Sequence, residues 1–279
     1  MLMLVSINGT DLFYELQGAG RPLMFMHGGM GFDHTYFRPW LDPLSDRMEL
    51  IYYDHRGNGR STLADDFTGI SPATWADDAD SLRRHLGHEK IVLFGHSCGA
   101  FVAQEYARKY GRNLAGLVLC AAMPAMDYPA VIMANAQARA TPEQLEVVGR
   151  MFTNPLTSND EFQNALHTLL SLYFKNYDPV IGDRVIKAIH YNYHSYNNTS
   201  AVLFPTFNSL GWLHEIRVPT LILGGREDWI TPPAQGAERF HAAIPNSELV
   251  IFENSGHFPF IEEQARFNTV MSEWIGGLV

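Results

Sequence analysis

The sequence has 279 residues, of which 46% are hydrophobic and 18% are charged, so it is long enough for one large domain with a sizeable core. Its formal net charge of −10 argues against nucleic acids and anionic membranes as partners, and no apolar run approaches the roughly 18 residues of a membrane span. Its two cysteines, Cys98 and Cys120, are too few for a disulfide framework. The short apolar start lacks the basic region and cleavage site of a signal peptide, so a cytoplasmic protein is expected.

The first half of the chain alternates short apolar runs with helical patterns. Residues 2–7 and 11–16 are predicted strands, joined at the Asn8-Gly9 turn signal. Helices are predicted from Pro72 to Leu86, with Ser71 as the cap, and from the residues after Gly99 through Tyr110. Further strands are predicted at 22–26, 50–53, 90–94 and 114–122.

The same alternation returns near the end of the chain. Strands are predicted at 219–223 and 248–252, and helices at 232–243 and 259–278. Strands that are apolar on both faces, each followed by a helix, indicate a mostly parallel sheet covered on both sides. The predicted fold class is therefore α/β, built on a central parallel sheet.

Residues 124–214 break this alternation and are predicted to form a helical lid. An insertion between two strands, at the edge of a sheet where sites form, is typical of a cap over a pocket. The predicted organisation is a core of residues 1–123 and 215–279 and a cap of residues 124–214. The lid is rich in aromatic residues, namely Tyr173, Phe174, Tyr177, Tyr191, Tyr193, Tyr196, Phe204, Phe207 and Trp212.

The strongest chemical signal is the motif Gly95-His96-Ser97-Cys98-Gly99 between a predicted strand and a predicted helix. A serine in such a G-x-S-x-G turn has its hydroxyl exposed, and the glycines let the chain cross itself closely. The amino end of the following helix favours developing negative charge. Ser97 is therefore the candidate nucleophile.

A serine nucleophile needs a base, and the base needs an acid to orient it. Asp228 and Glu227 both follow the strand at 219–223, and Asp228 is favoured because the chain then turns towards a helix. His257 lies just after the strand at 248–252, before the last helix. The order Ser97, Asp228, His257 is the order that this arrangement requires.

Two backbone amides are candidates for binding an oxyanion. One belongs to Cys98, directly after the nucleophile, and the other to Gly29 in the Gly-rich loop that follows the strand at 22–26. The loop of residues 54–61 is expected to support the site, with Asp54 and Arg56 as a possible ion pair.

The remaining candidates concern the pocket and metals. His27 and His96 are expected to orient loops through hydrogen bonds. No H-E-x-x-H motif occurs, and the pair His190 and His194 in the lid is expected to be a packing or surface pair, so neither metal nor cofactor is predicted. The residues predicted to line the pocket are His27, Gly28, His96, Tyr191, Trp229 and Phe258.

These motifs together resemble the α/β-hydrolase superfamily. They are His27-Gly28-Gly29, the segments 54–61 and 95–99, Gly225-Arg226-Glu227-Asp228 and Gly256-His257. The first two are most similar to the prolyl aminopeptidase-like branch, which usually has a proline where Met30 stands and an aromatic residue where Cys98 stands. That branch also uses lid glutamates to hold the substrate amine, whereas residues 162–214 contain only Asp178 and Asp183 as acids.

These differences favour an esterase or lactonase that acts on a small neutral substrate with an apolar acyl part. A prolyl aminopeptidase or an amidase is the alternative. A small-ligand receptor without turnover is a third reading, which a complete Ser-Asp-His set argues against. A haloalkane dehalogenase or an epoxide hydrolase is excluded, because both resemble this fold but have an aspartate at the position of Ser97.

Overall fold

A computed structural model describes residues 2–64 and 66–278, and within them eight strands form one sheet in the order β1-β2-β4-β3-β5-β6-β7-β8. Strand β2 runs antiparallel to β1 and β4, and all the other neighbours are parallel. The prediction of a mostly parallel sheet is confirmed. The strands are β1 (Leu2–Ile7), β2 (Thr10–Gly18), β3 (Arg21–Met26), β4 (Met48–Tyr53), β5 (Ile91–His96), β6 (Leu114–Cys120), β7 (Thr220–Gly225) and β8 (Ser247–Phe252).

The first two strands form a hairpin with a two-residue turn. Asn8 and Gly9 have φ angles of 49° and 74°, the left-handed conformation that this tight turn requires and that an Asn-Gly pair adopts at low cost. Ile7 pairs with Thr10 across the turn. The sequence signal and the observed turn therefore have the same local cause.

Helices cover both faces of the sheet. On one face lie α1 (Pro72–His85), α2 (Gly99–Tyr110) and α9 (Ala237–Ala243), which bury Trp75, Phe101 and Phe240 in a shared core. On the other face lies α11 (Gln264–Gly276), which buries Phe267 and Met271 against the opposite side of the strands. A sheet that is apolar on both sides needs this double cover.

Two predicted helices are shorter than expected. Helix α9 begins at Ala237 rather than at residue 232, because Gly236, with φ and ψ of −113° and −90°, lies outside the helical region. The closing helix is interrupted, with α10 (Pro259–Glu262) ending before Glu263, whose φ and ψ are −119° and 45°.

Between β6 and β7 the chain forms a set of helices over residues 124–214, a segment named the cap below. Side chains of Thr141, Ser158, Asp178 and Asn192 accept amides at four of the helix starts. In the described part of the chain, no helix has the length and apolar character to cross a membrane. The cap helices are α3 (Pro129–Arg139), α4 (Pro142–Thr153), α5 (Asn159–Leu169), α6 (Pro179–Ala188), α7 (Tyr193–Asn198) and α8 (Phe204–Thr206).

Candidate active site

Ser97 lies on a sharp turn between β5 and α2. Its φ of 52° is in the left-handed region, which residues with a side chain rarely adopt, and its amide donates to the Cys120 carbonyl over 3.0 Å. A Cβ on Gly95 would lie 2.8 Å from the α2 backbone, and one on Gly99 would lie 2.2 Å from the carbonyl oxygen at the end of β3. The two glycines are thus needed for the close crossing of strand and helix that holds Ser97 in this conformation.

Asp228 and His257 form a buried hydrogen-bonded pair at the ends of β7 and β8. The imidazole Nδ1 donates to Asp228 Oδ2 over 2.7 Å, and Oδ1 accepts the amides of Ile230 and Thr231 at 3.0 Å each. Burial alone would raise the pKa of Asp228, but the charge of His257 and these hydrogen bonds lower it below the usual value for aspartate. With a proton fixed on Nδ1, Nε2 of His257 is left as the proton acceptor.

Glu227, the alternative acid, has a different partner. Its carboxylate accepts Arg139 Nη2 over 2.6 Å, and its carbonyl accepts Nη1 of the same guanidinium. Arg139 is the last residue of α3, so this pair connects the loop after β7, which carries Glu227 and Asp228, to the cap. His257 is therefore paired with Asp228, whereas Glu227 forms an ion pair at the surface.

His96 connects the loop that carries His257 to the loop after β3. Its Nε2 donates to the His257 carbonyl over 3.0 Å, and its Nδ1 accepts from the Tyr36 hydroxyl over 2.9 Å. That hydroxyl in turn accepts the amide of Gly28 over 2.7 Å. Burial, helped by the charge of His257, lowers the pKa of His96 to about 3, so this ring stays neutral and keeps one donor and one acceptor nitrogen.

The loop after β3 packs directly against Ser97. A Cβ on Gly28 would lie 2.8 Å from Ser97 Cβ, and Gly29 has a φ of 57° that favours glycine. The Cys98 thiol lies beside the same turn, where burial raises its pKa to about 11 and hydrogen bonds from the backbone of Met30 and Gly29 oppose the shift only in part. Gly29 and Cys98, the predicted oxyanion donors, are thus brought together beside Ser97.

The loop after β4 supports the site in a way that differs from the prediction. The expected pair of Asp54 and Arg56 is wrong, because Arg56 turns towards α1 and binds both carboxylate oxygens of Asp78 at 2.7 and 2.8 Å. Asp54 turns the other way, accepting His34 Nδ1 over 2.6 Å and the amide of Arg60 over 2.8 Å. The carboxylate of Asp54 thus ties its own loop to the one that follows Gly29.

His34 is expected to make the stability of the fold depend on pH. Burial opposes its charge, but the hydrogen bond to Asp54 and the carboxylate of Glu15, 3.7 Å from Nε2, outweigh burial and raise the pKa of His34 to about 9, compared with 6.5 when unperturbed. The folded state therefore keeps a proton that the unfolded state releases, so the free energy of unfolding should fall by on the order of 1–3 kcal/mol as pH rises from 6.5 to 9. Urea unfolding at stepped pH measures this fall; in His34→Gln the slope should be lost, and an unchanged slope would contradict the assignment.

A cavity of about 110 Å³ lies between Ser97, His257 and the cap. Among the described residues that line it there is no Asp, Glu, Lys or Arg. The cap contributes most of the apolar wall, including Val148, Met151, Phe162, Leu166, Leu169 and Leu170. The cavity therefore suits an uncharged, largely apolar group held next to Ser97.

Three of the six predicted pocket residues line this cavity, namely His96, Trp229 and Phe258. His27, Gly28 and Tyr191 do not, which corrects the expectation for these three. The His27 ring is fully buried behind the wall, where Nε2 accepts the His55 amide over 3.1 Å. The Tyr191 ring lies 5.4 Å from that of Phe162, which does line the cavity, and its hydroxyl donates to the Ile186 carbonyl of α6 over 3.1 Å.

The aliphatic cap residues of the wall are not among the predicted pocket residues, because composition draws attention only to the aromatic residues of the cap. Leu166, Leu169 and Leu170 are spaced three and four residues apart, the period of one helix face, and this signal identifies them as one buried stripe. His190, half of the possible metal pair, binds Asp33 over 2.8 Å. Within residues 2–64 and 66–278, no group of three or more His, Cys, Asp or Glu could hold a metal ion.

Residues 21–264 match the family model of the alpha/beta hydrolase fold. The chain belongs to the α/β-hydrolase fold family. The resemblance inferred from the motifs is therefore confirmed, and Ser97, Asp228 and His257 follow one another along the chain in the order that an α/β hydrolase requires.

Known proteins similar to this α/β hydrolase carry two kinds of name. The proline iminopeptidase of Saccharolobus solfataricus is 29% identical, over 96% of this chain and 90% of the relative. That of Clostridioides difficile is 27% identical, over 96% and 95%. The solved structure of a thermophilic esterase from Thermogutta terrifontis superposes with a TM-score of 0.78 at 25% identity, over 100% of this chain and 99% of that one. The protein is a hydrolase with likeness to both groups.

Proposed function

We propose that this α/β hydrolase is a serine esterase or lactonase that cleaves a small neutral substrate through an acyl-serine intermediate. The observation that carries the proposal is that Ser97 and His257 line the same cavity, and that His257 is hydrogen-bonded to the buried Asp228. The described residues of the cavity wall include no Asp, Glu, Lys or Arg. A nucleophile, a base with its proton acceptor free and an apolar pocket are what acyl transfer from an ester requires.

In the first half of the proposed reaction, Ser97 Oγ attacks the ester carbonyl as His257 Nε2 takes its proton. The negative oxygen of the tetrahedral intermediate is stabilised by the amides of Gly29 and Cys98. The intermediate collapses when His257 gives the proton to the departing alcohol, which leaves the acyl group on Ser97. Asp228 stays ionised and stabilises the imidazolium throughout.

In the second half, water takes the place of the serine hydroxyl. His257 removes a proton from the water, whose oxygen attacks the acyl carbonyl, and the same two amides hold the second oxyanion. Collapse returns the proton to Ser97 Oγ and releases the carboxylic acid. The sequence of steps restores the protein and needs no further reactant.

The second candidate is a proline iminopeptidase, the activity named for relatives at 24–29% identity. In that branch lid glutamates hold the amine of the substrate. The glutamates of this cap, Glu143, Glu146 and Glu161, are absent from the cavity wall, and Glu161 instead accepts the amide of Thr157 over 2.8 Å. A protonated amine would enter this cavity without a carboxylate to pair with, which disfavours the peptidase.

A direct comparison of substrates tests the proposal. We expect purified protein to hydrolyse p-nitrophenyl butanoate at least about 100-fold more efficiently than proline p-nitroanilide, judged by kcat/KM, because an unpaired ammonium is costly to bury. A homoserine lactone in the same series distinguishes an esterase from a lactonase. Faster cleavage of the proline anilide would assign the protein to the iminopeptidases.

The cavity size predicts a preference for short acyl groups. An apolar cavity of about 150 Å³ binds benzene in another protein, so the 110 Å³ here suits about four carbon atoms. From acetyl to butanoyl p-nitrophenyl esters, kcat/KM should rise up to about fourfold per methylene, the value of burying one CH₂. Beyond hexanoyl it should fall by about tenfold or more, because the chain must displace packed side chains.

Variants at matched sites check that this cavity sets the preference. Leu169→Ala shortens a side chain of the wall and enlarges the cavity, so the acyl length that gives the highest kcat/KM should increase. Leu213→Ala removes an equally buried leucine that does not line the cavity, and should cost stability without moving the maximum. A maximum that stays in place in Leu169→Ala would show that the acyl chain binds elsewhere.

A further inference from the structure

Three backbone amides converge on the carboxylate of Glu262, the last residue of α10. Oε1 accepts the amides of Lys175 and Asn176 over 2.8 and 3.0 Å, and Oε2 accepts the amide of Gly256 over 2.6 Å. Two of these amides belong to the cap, and the third belongs to the residue before His257. One side chain therefore bonds the cap to the loop that carries the imidazole.

The same two segments also meet directly. The His257 amide donates to the Tyr173 carbonyl over 2.7 Å, and a Cβ on Gly256 would lie 2.4 Å from that oxygen. The rings of Tyr173 and His257 stack edge to face with 5.3 Å between their centres. Tyr173 also lines the cavity, so one cap segment forms part of the substrate wall and holds the backbone of the histidine.

We infer that Glu262 is a positioning residue for ester hydrolysis, which fixes cap residues 173–176 to the histidine loop and thereby sets where the His257 imidazole stands over the substrate. This inference rests on the proposed role of His257 as the general base and acid. Glu262 itself acts only through His257, because its two carboxylate oxygens are occupied by the amides of Lys175, Asn176 and Gly256.

The leaving group of the ester gives a measurement that reports on the position of the imidazole. An alkoxide must receive a proton from His257 as it departs, whereas p-nitrophenoxide is a stable anion that departs without one. Displacing the imidazole should therefore slow ethyl butanoate more than p-nitrophenyl butanoate. Loss of folded protein alone would slow the two esters equally.

The test compares kcat/KM of these two esters in Glu262→Gln. Glutamine keeps the size of the side chain but has one oxygen, so an NH₂ group must face at least one backbone amide. We expect kcat/KM to fall by about 100-fold for ethyl butanoate and by at most about tenfold for p-nitrophenyl butanoate, with little change in KM. Rates are divided by the concentration of reactive serine, titrated with a fluorophosphonate, so that misfolded protein does not count.

Two further variants keep the test decisive. Glu253→Gln removes the same charge from an exposed carboxylate paired with Arg226 near the start of the same loop, and should leave the ratio of the two rates unchanged. Glu262→Asp keeps the charge but is one methylene shorter, so it should change the ratio in the same direction by less. It serves as the test variant if Glu262→Gln does not fold.

Equal losses for both esters in the Glu262 variants would overturn the inference while leaving the proposed function in place. A wild-type protein that hydrolyses neither ester would overturn the proposed function and, with it, this inference. A change in the ratio confined to the Glu262 variants supports the positioning role.

Discussion

Ser97→Ala is expected to lower kcat/KM for p-nitrophenyl butanoate by about 10⁶-fold, the loss seen when the nucleophile of another serine hydrolase is removed. The substitution deletes the attacking oxygen and nothing else. The backbone at residue 97 keeps its φ of 52° because the glycines on either side and the hydrogen bond to Cys120 hold it. Thermal unfolding should therefore shift by no more than a few degrees, and fluorophosphonate labelling should disappear.

Cys98→Ala is the matched control for this prediction, since it removes the only other nucleophilic side chain on the described cavity wall apart from the histidines and tyrosines. Burial raises the pKa of the Cys98 thiol to about 11, so the thiol is neutral and unreactive at pH 7. The variant keeps the backbone amide and should retain activity within about threefold. If Cys98→Ala were inactive and Ser97→Ala active, the nucleophile would be misassigned.

The turn that carries Ser97 could be predicted from the sequence because its causes are local. Gly95 and Gly99 are fixed by contacts with neighbouring strand and helix backbone, and the apolar runs on either side identify those elements. The Asn8-Gly9 hairpin was predictable for the same reason, since its two residues adopt the φ angles that the turn needs. In both places the residue type and the backbone conformation determine each other within a few positions.

The contacts that complete the site join residues that are far apart in the sequence, and no local pattern shows which residues pair. Two aspartates, Asp54 and Asp78, are candidate partners for Arg56 in the sequence. Arg56 binds Asp78 because α1 passes close to the loop after β4. The bond between His257 and Tyr173 likewise depends on how the cap folds back over the sheet. Such contacts are fixed by tertiary packing, which overrides any preference of single residues.

Asp228→Asn is expected to lower kcat by about 10⁴-fold, as in the serine protease triad. Asparagine places an NH₂ group or an oxygen opposite His257 Nδ1, and the hydrogen bonds that Ile230 and Thr231 donate favour keeping the oxygen for those amides. The NH₂ then faces Nδ1, which must accept rather than donate, so the proton moves to Nε2 and the ring cannot take a proton from Ser97. Steady-state rates at pH 8 measure the loss, and KM should change little because Asp228 is buried and is not part of the cavity wall.

Glu227→Gln is the control that separates the two neighbouring acids. Glu227 pairs with Arg139 at a site where both side chains are more than one-third exposed, so breaking the pair should cost less than about 1 kcal/mol of stability and leave kcat within about twofold. The expected losses of kcat differ widely because Asp228 faces a buried imidazole, whereas Glu227 faces a solvated guanidinium. A variant pair with the opposite result, a damaging Glu227→Gln and a mild Asp228→Asn, would show that the assignment of Asp228 as the acid is wrong.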